Sequence, residues 1–393
     1  MGVTSEDAFP RRRALTVYSV LVRVAVIHSF YSPKVPSGEN SVVLDQVDAL
    51  REIGIDAQLV AVETKDRANQ LGLAARSAFR VGSGFGPSPL RSIPTFRPDL
   101  IHIHNLFPNF GTRWMASTGI PTVMSVHNYR FACSNAVLFR SGEQCWECVD
   151  HGPMRAVLHG CYRNSRLATL PLAVSRRSYS RSLVSDLSAL VTTSPKSNEV
   201  ITRLLPGAQV KMIPNFGEGP AEFGVRPREE LWLAMGRFSP EKGFADLARD
   251  WPPDRPLRFV GDGPQRETIR QRSVNKDISL LNSLNRDEMR SVMRSATGLV
   301  FPSRWIEVAP QIVVEAMRLG VPIVASEANG VADIVRESGA GATYSDRETL
   351  CVALQNVNDA RDDMSRRASD YFSANWTKER WQESMVSLYH SLV

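Results

Sequence analysis

Short apolar segments alternate with amphipathic ones along most of this chain. Residues 23–28 (RVAVIH) form a continuous apolar run, and residues 37–50 after them carry apolar side chains at helical spacing. Further predicted strands of the first half are Gln58–Val62, Asp99–His104, Pro121–His127, Leu187–Thr193 and Val210–Pro214. Strands that alternate with helices in this way predict βαβ units in a parallel sheet.

The same pattern starts again in the second half. Its predicted strands are Leu231–Gly236, Leu257–Gly261, Ile278–Leu281, Gly298–Pro302 and Pro322–Ala325. The helices predicted between them are Pro240–Arg249, Pro264–Arg272, Arg286–Ser295 and Ala309–Leu319. The predicted fold class is therefore α/β, with two doubly wound Rossmann-like domains that face each other across a cleft.

A Gly- and Pro-rich stretch near residues 214–226 reads as the joint between the domains. We expect residues 1–20 to be a disordered or non-native extension, because the apolar stretch after Arg11–Arg13 is short and lacks a small-residue cleavage site. With no export signal, we expect a cytoplasmic protein. The predicted units are then a first domain over 21–213, a second domain over 214–375, and a helix over 376–393 that crosses back to the first domain.

Composition excludes several classes of protein. The 393 residues are 43% hydrophobic and 22% charged, which is ordinary for a globular protein, and no apolar run is long enough to span a membrane. The net charge of +6 is uneven, since residues 1–215 hold 24 Lys and Arg against 15 Asp and Glu. Such a basic half indicates an anionic partner. Nucleic acid is not expected, because RNA-binding aromatic signatures and zinc-finger histidine spacing are missing.

Cations and glycines follow two predicted strands of the second half. Residues 236–243 (GRFSPEKG) place Arg237 and Lys242 at a strand–turn–helix corner, where both can face one anion beside a helix N-terminus. This chemistry suits a diphosphate, and a solvated arginine with a capping-turn lysine is the alternative. In residues 260–264 (VGDGP), two glycines allow positive φ or a close backbone approach, although a tight turn alone would also explain them.

Two glutamates, separated by seven residues, follow the fourth predicted strand of the second half. Glu307 lies in a loop, whereas Glu315 lies within an otherwise apolar helix. A carboxylate buried there needs a partner, and sugar or ribose hydroxyls are suitable ones. A partly exposed helix position is the alternative.

In this order and spacing, GRFSPEKG, VGDGP and PSRW-x-E-x7-E-AM resemble the second domain of glycosyltransferase family 4. That family comprises retaining, nucleotide-sugar-dependent enzymes of the GT-B architecture. Residues 37–40 (SGEN), residues 98–105 (PDLIHIHN) and the pair His127–Asn128 resemble motifs of the family's first domain. The resemblance extends from about residue 21 to the C-terminus.

The resemblance implies roles for the matching residues. Arg237 and Lys242 would bind the donor diphosphate, and Glu315 would bind ribose hydroxyls. Glu307 would lie beside the donor sugar, and His127 would contact that sugar near the reacting centre. The remaining donor-binding positions it implies are Gly38, Gly236, Gly261, Asp262, Gly263, Val308, Ala309, Pro310 and Gln311.

Three positions depart from the family pattern. Val308 stands where glycine is common, Asn282 replaces a glycine before the base-binding turn, and Asp333 replaces a common glutamate. These departures leave the donor base and the sugar open.

The implied reaction moves a sugar from a nucleotide-sugar donor to a hydroxyl of a glycan or lipid-linked acceptor, in surface polysaccharide or glycolipid biosynthesis. The acceptor attacks the face that the diphosphate leaves, so Glu307 and Glu315 are not a glycosidase pair. No catalytic metal is expected, because Arg, Lys and helix N-termini stabilise the leaving diphosphate.

Two other functions compete with glycosyl transfer as interpretations of the sequence. A GT-B scaffold without activity is the alternative, and the intact Arg237, Lys242, Glu307 and Glu315 argue against it. A dinucleotide-dependent oxidoreductase is disfavoured, because the Gly-rich stretch 82–86 is not flanked by a strand and a helix.

Four of the five cysteines, Cys133, Cys145, Cys148 and Cys161, lie within 29 residues. The spacing of Cys145 and Cys148 is that of a zinc knuckle, so a structural zinc site is one interpretation. Reduced buried thiols and a disulfide or redox role are the others. We expect the insertion 129–165 to shape acceptor choice, and we expect Cys351 to be a core cysteine.

Six arginines stand among apolar residues in the segment from Arg155 to Arg181. A basic surface with apolar neighbours suits an anionic membrane or a diphosphate-lipid acceptor, and peripheral attachment to the inner membrane face follows from that interpretation. An ordinary solvated helix face is the alternative.

Overall fold

A computed structural model describes residues 22–30, 38–64, 71–223, 230–308 and 310–393. The predicted extension 1–20 and Ala309 lie outside these ranges. The strands are β1 (Arg23–Phe30), β2 (Asp56–Glu63), β3 (Leu100–Ile103), β4 (Thr122–Ser125), β5 (Phe139–Arg140), β6 (Glu143–Gln144), β7 (Ala189–Thr192), β8 (Val210–Met212), β9 (Trp232–Met235), β10 (Leu257–Val260), β11 (Ile278–Leu281), β12 (Gly298–Phe301), β13 (Ile323–Ser326) and β14 (Gly341–Tyr344). The helices are α1 (Gly38–Glu52), α2 (Leu71–Ser83), α3 (Glu147–His151), α4 (Met154–His159), α5 (Arg166–Ser185), α6 (Pro195–Leu204), α7 (Phe244–Asp250), α8 (Arg266–Arg272), α9 (Arg286–Arg294), α10 (Gln311–Arg318), α11 (Val331–Ser338), α12 (Arg347–Asp359), α13 (Arg361–Asn375) and α14 (Lys378–His390).

Two parallel sheets of six strands form the two domains. The first has the strand order β2-β1-β3-β4-β7-β8 and the second has the order β11-β10-β9-β12-β13-β14. Their central strands are buried along their whole length, because helices cover both faces of each sheet. The predicted α/β class, with two Rossmann-like domains, is confirmed.

Local predictions failed at three places. The helix predicted over Pro240–Arg249 is a 3₁₀ turn followed by α7, because Gly243 adopts a left-handed φ of +72° between them. Strand β14 was not predicted, since its sequence GATY is half-buried at a sheet edge and lacks an apolar run. Cys351 is exposed on α12, so its assignment to the core was wrong.

The C-terminal helix α14 packs against the first domain. Trp381, Met385 and Tyr389 join an apolar cluster that includes residues of β1 and α1. The Tyr389 hydroxyl also lies 2.7 Å from Nδ1 of His102, whose Nε2 lies 2.9 Å from the Ser125 hydroxyl. His102 is therefore a buried structural residue that fastens α14 to the first sheet.

A loop of the second domain enters the core of the first. Trp305, Ile306 and Val308 belong to the apolar cluster formed by β1, β3 and β4. Their backbone is held there by Thr193, which donates its hydroxyl to the Val308 carbonyl, and by Ser194, which donates to the Glu307 carbonyl at 3.4 Å. The two domains therefore meet where the carboxyl ends of their strands face each other. None of the helices in the described ranges is long and apolar enough to cross a bilayer.

Candidate active site

The turn after β9 presents two cations that are already paired with carboxylates. Arg237 donates from Nη2 to Glu241 at 3.0 Å, and its side chain is half-exposed. Burial alone would raise the pKa of Glu241, but hydrogen bonds from Ser239 and the backbone, together with the Arg237 charge, hold that pKa below its usual value. The ion pair with Glu241 therefore orients the Arg237 side chain in the turn after β9.

Lys242 and Glu307 form the ion pair that joins the turn to the interdomain loop. Lys242 Nζ donates to Glu307 Oε1 at 2.7 Å, and the Ser303 hydroxyl donates to the same oxygen at 2.6 Å. The ammonium also lies 5.3 Å from the centre of the Trp305 ring. Glu307 is buried, and both of these donors contact the same carboxylate oxygen, Oε1.

Gly261 and Gly263 are required by contact between two turns. Gly261 has φ +146° and Gly263 has φ +153°, and a Cβ on Gly263 would lie 2.7 Å from the Phe238 carbonyl oxygen. A hydrogen bond joins the turn that carries Asp262 to the turn that follows Gly236, since the Phe238 backbone N–H donates to the Asp262 carbonyl at 2.8 Å. These glycines hold the Arg237–Lys242 turn in place.

Glu315 is buried between two arginines. Arg290 on α9 donates through Nη2 to Oε1 at 3.1 Å and through Nε to Oε2 at 3.3 Å, while Arg318 donates through Nε to Oε2 at 3.1 Å. Arg318 is itself buried and also contacts Glu222 at 3.2 Å. Partial exposure, the alternative considered for Glu315, is wrong because the residue is buried, and the role of Glu315 in binding ribose hydroxyls stays a prediction.

The start of α10 lines a cleft of about 250 Å³ between the domains. Pro310 and Gln311 form one wall, and Thr193, Pro214 and Asn215 form another. Gln311 donates from Nε2 to the Phe216 carbonyl at 2.9 Å, whereas its buried Oε1 has no partner among the described residues. The cleft therefore presents Gln311 Oε1 as a hydrogen-bond acceptor beside the N-terminus of α10.

Gly38 lies at the start of α1, and there is open space around the position that a Cβ would take.

A second cleft, of about 340 Å³, lies at the carboxyl ends of β3 and β4. Its lining includes His104, Asn105, His127 and Asn128, which follow those strands. His104 Nδ1 and His127 Nε2 are 2.9 Å apart. Register brings these histidines together, because Ile103 pairs with Met124 in the parallel ladder.

Burial keeps these histidines neutral. It lowers the pKa of His127 to about 3, with His28 and His102 as secondary causes, and it lowers the pKa of His104 well below its usual value. Nε2 of His104 is buried without a partner among the described residues. A buried N–H without an acceptor is costly, so the favoured tautomer of His104 carries its proton on Nδ1 and donates to His127. His127 then carries its own proton on Nδ1 and can donate to a ligand.

The cysteine insertion is built from the β5–β6 hairpin, α3 and α4, and it reaches the second domain where Gln144 Nε2 donates to the Ala328 carbonyl at 3.0 Å. All its cysteines are free. Burial, and then the neighbouring cysteines, raise the pKa of Cys161 to about 11. Within the described ranges no three His, Cys, Asp or Glu side chains converge closely enough to hold a metal ion. Zinc at these cysteines therefore stays a prediction.

Several residues of the site were missed by reasoning from sequence. Arg290 and Ser303 were not singled out, although they contact the two glutamates. Arg130 was missed too, and its guanidinium lies 4.0 Å from the centre of the Phe107 ring in the His104–His127 cleft. Arg130 lies three residues after His127, and that position was the sequence signal that could have identified it.

Comparison with known proteins agrees with this geometry. Residues 37–215 match the family described as glycosyl transferase 4-like domain, and residues 217–359 match glycosyl transferases group 1. The chain is 26% identical over 268 residues to sulfoquinovosyl transferase SQD2 of Arabidopsis thaliana, covering 65% of this chain and 48% of that protein. It spans about half the length of the curated relatives it matches.

Solved structures share the fold along nearly the whole chain. Sucrose-phosphate synthase from Thermosynechococcus elongatus superposes with a TM-score of 0.67 at 16% identity, covering 94% of this chain and 99% of that one. Anabaena HepE in complex with UDP superposes with a TM-score of 0.56 at 14% identity, covering 94% of this chain and 100% of that one. At these sequence identities, the two comparisons show a shared fold and nothing further.

Proposed function

We propose that this chain, whose two halves match glycosyltransferase family models, is a GT-B glycosyltransferase that transfers a sugar from a nucleoside-diphosphate sugar to a hydroxyl acceptor with retention at the anomeric carbon. The observation that carries the proposal is the Lys242–Glu307 pair, which joins the turn after β9 to the loop before α10 beside the interdomain cleft. Both residues stand at motif positions whose family counterparts bind the donor.

The donor diphosphate is the ligand that this corner fits. Lys242 and Arg237 supply positive charge, and the N-terminus of α10 supplies unpaired backbone N–H groups. Glu241 and Glu307 orient these cations through their ion pairs. Charge development on the leaving diphosphate is then stabilised by groups that are already oriented, and no catalytic metal is required in this proposal.

Transfer follows a front-face course in the proposal. The bond from the anomeric carbon to the phosphate oxygen breaks, and the acceptor oxygen forms its bond on the same face. The acceptor proton passes to the leaving phosphate oxygen. Neither glutamate serves as a nucleophile, because Glu315 is held by Arg290 and Arg318 while Glu307 is held by Lys242 and Ser303.

The acceptor side is assigned to the His104–His127 cleft. His127 donates from Nδ1 to the sugar near the reacting carbon, and Asn128 and Arg130 offer further polar contacts. We propose a glycan or lipid-linked acceptor in surface polysaccharide or glycolipid biosynthesis, used by a cytoplasmic enzyme that attaches peripherally to the membrane. UDP is the first nucleotide to test, since the HepE structure contains it.

Thermal unfolding with UDP, GDP, ADP and TDP tests the donor assignment. A nucleotide at 100 times its Kd should stabilise the protein by about 2.7 kcal/mol. Lys242→Ala should remove that stabilisation, whereas Lys211→Ala, which changes an exposed lysine of β8, should keep it. If none of the four nucleotides or their sugars stabilises the protein, the chain is a scaffold without donor binding. Elemental analysis of the same sample tests the zinc prediction, which requires about one zinc per chain.

A further inference from the structure

The outer side of α4 and α5 exposes apolar side chains in an ordered stripe. On α5, Leu167 is 84% exposed and Val174 is 60% exposed, with Leu170 between them at helical spacing. Two further exposed apolar residues stand on α4, which packs beside α5. We call this the α4–α5 surface, and its members are Met154, Leu158, Leu167, Leu170 and Val174 together with Arg163, Arg166, Arg177 and Arg181.

The basic charge of the first domain is concentrated in the same part of the chain. Residues 67–185 contain 14 arginines, no lysine and four acidic residues, and residues 152–185 contain six arginines and no acidic residue. The four arginines of the α4–α5 surface form no ion pair with any carboxylate of the described ranges, whereas the neighbouring Arg155 lies 3.9 Å from Glu147. The charge of this surface is therefore available to a partner.

From this combination we propose that the α4–α5 surface docks on an anionic lipid bilayer. Exposed leucines and valines that stand beside arginines match the boundary between acyl chains and headgroups, where the apolar side chains insert and the guanidinium groups bind phosphates. A second copy of the chain does not fit, because the same positive surface would repel itself. Nucleic acid does not fit either, because it offers nothing to a stripe of leucine and valine.

The surface and the acceptor cleft share one helix. Tyr179 and Leu183, farther along α5, line the His104–His127 cleft. The distance along the helix from Leu167 to Tyr179 is about 18 Å, at 1.5 Å per residue. Docking would thus hold the cleft within reach of a lipid-linked acceptor. This consequence rests on the proposed function, whereas the docking does not.

Vesicle flotation tests the docking with the full chain. The probes are phosphatidylcholine vesicles with and without 30% phosphatidylglycerol, in low and high salt. We expect the protein to float with the anionic vesicles, to remain unbound with the neutral ones, and to be released by salt. Failure to float with anionic vesicles overturns the proposal, as does equal flotation with both compositions.

Matched variants locate the contact. Leu167→Gln with Val174→Gln should lower the partition coefficient at least about tenfold, and Arg177→Gln with Arg181→Gln should lower it by a similar factor. Val274→Gln with Val352→Gln changes two valines of the second domain that are 65% and 55% exposed, and Arg270→Gln with Arg366→Gln removes the same charge there. These controls should bind within about twofold of the unmodified protein.

If the variants of the α4–α5 surface and their controls lose vesicle binding equally, the assignment of the contact to this surface is overturned. Each variant is also assayed for its melting temperature and for nucleotide stabilisation, neither of which should change. Vesicle binding without nucleotide binding would overturn the proposed sugar transfer and leave the docking intact. Nucleotide binding without vesicle binding would overturn the docking, and the peripheral attachment with it, and leave the proposed sugar transfer intact.

Discussion

The two sides of the cleft hold their polar groups in opposite ways. On the side of the second domain, carboxylates and cations are paired with each other, as Lys242 is with Glu307 and Arg290 with Glu315. On the side of the first domain, His104 and His127 share a hydrogen bond while burial keeps both uncharged. One side holds its charges as ion pairs, whereas the two histidines of the other side are uncharged.

This difference fits the two ligands of the proposed reaction. A diphosphate carries negative charge, and Lys242 can contact it while keeping Glu307, because an ammonium group has three N–H donors. A sugar hydroxyl is neutral and is recognised by directed hydrogen bonds, which a fixed histidine tautomer supplies. Substitutions that alter charge should therefore have their larger effects on the side of the second domain, and changes of pH should have theirs on the side of the first domain.

The largest effect is expected from Glu315→Ala. The substitution leaves the buried Arg318 and the neighbouring Arg290 without their shared carboxylate, which should lower the free energy of unfolding by about 3–5 kcal/mol. Chemical denaturation measures the loss. Glu348→Ala, at the exposed first turn of α12, is the control and should stay within about 0.5 kcal/mol. An equally small effect at Glu315 would show that charge pairing does not organise this side.

Lys242→Ala should lower turnover of the nucleotide sugar about 10²- to 10³-fold, because a preorganised cation at the leaving diphosphate is lost. Release of the nucleoside diphosphate measures turnover, and Lys211→Ala is the matched control. Since the substitution also leaves Glu307 buried with only Ser303 as donor, Lys242→Ala should be repeated with Glu307→Gln, which restores stability but not turnover. Near-normal turnover in Lys242→Ala would remove the core of the assignment.

The sequence predicted the features that depend on neighbouring residues. Apolar runs located the central strands because those strands are buried on both faces, and Arg237, Lys242 and Glu307 lie in the segments after β9 and β12 as their motifs indicated. The class of the fold followed from the repeated alternation, since parallel sheets need crossover helices.

The sequence could not predict pairings between distant segments. Glu315 and Arg290 are 25 residues apart, and Lys242 and Glu307 are 65 apart. Lys242 and Glu307 lie in the loops after β9 and β12, whereas Arg290 and Glu315 lie on α9 and α10. In both pairs the partner depends on packing rather than on any local pattern. The apolar surroundings of Glu315 indicated that it needs a partner, yet they did not distinguish a ligand hydroxyl from an arginine of the protein.

Acid should destabilise the first domain through its buried histidines. Burial lowers the pKa of His102 to about 3 and that of His28 to about 4, so the unfolded chain takes up protons first as the pH falls below about 6.5. Each such histidine should remove up to about 1.4 kcal/mol of stability per pH unit below that value. Unfolding at pH 7.5 and 5.5 measures the slope. His102→Gln should flatten it and the exposed His151→Gln should not, and equal slopes in both would contradict the assignment.

The smallest effect concerns the proton that His104 donates to His127. It is also the sharpest test of the hydrogen bond between the two neutral histidines of the first domain. Long-range ¹H–¹⁵N spectra of the histidines should show His127 protonated on Nδ1, with its signal identified by its loss in His127→Gln. His104→Phe should let His127 populate both tautomers and lower kcat about tenfold with little change in KM, because a misdirected donor weakens contacts at the reacting carbon. His104→Asn, which keeps an N–H donor, should recover part of the rate. A proton on Nε2 of His127 in the unmodified protein would reverse the donor and acceptor, and His104 would then be no more than a packing residue.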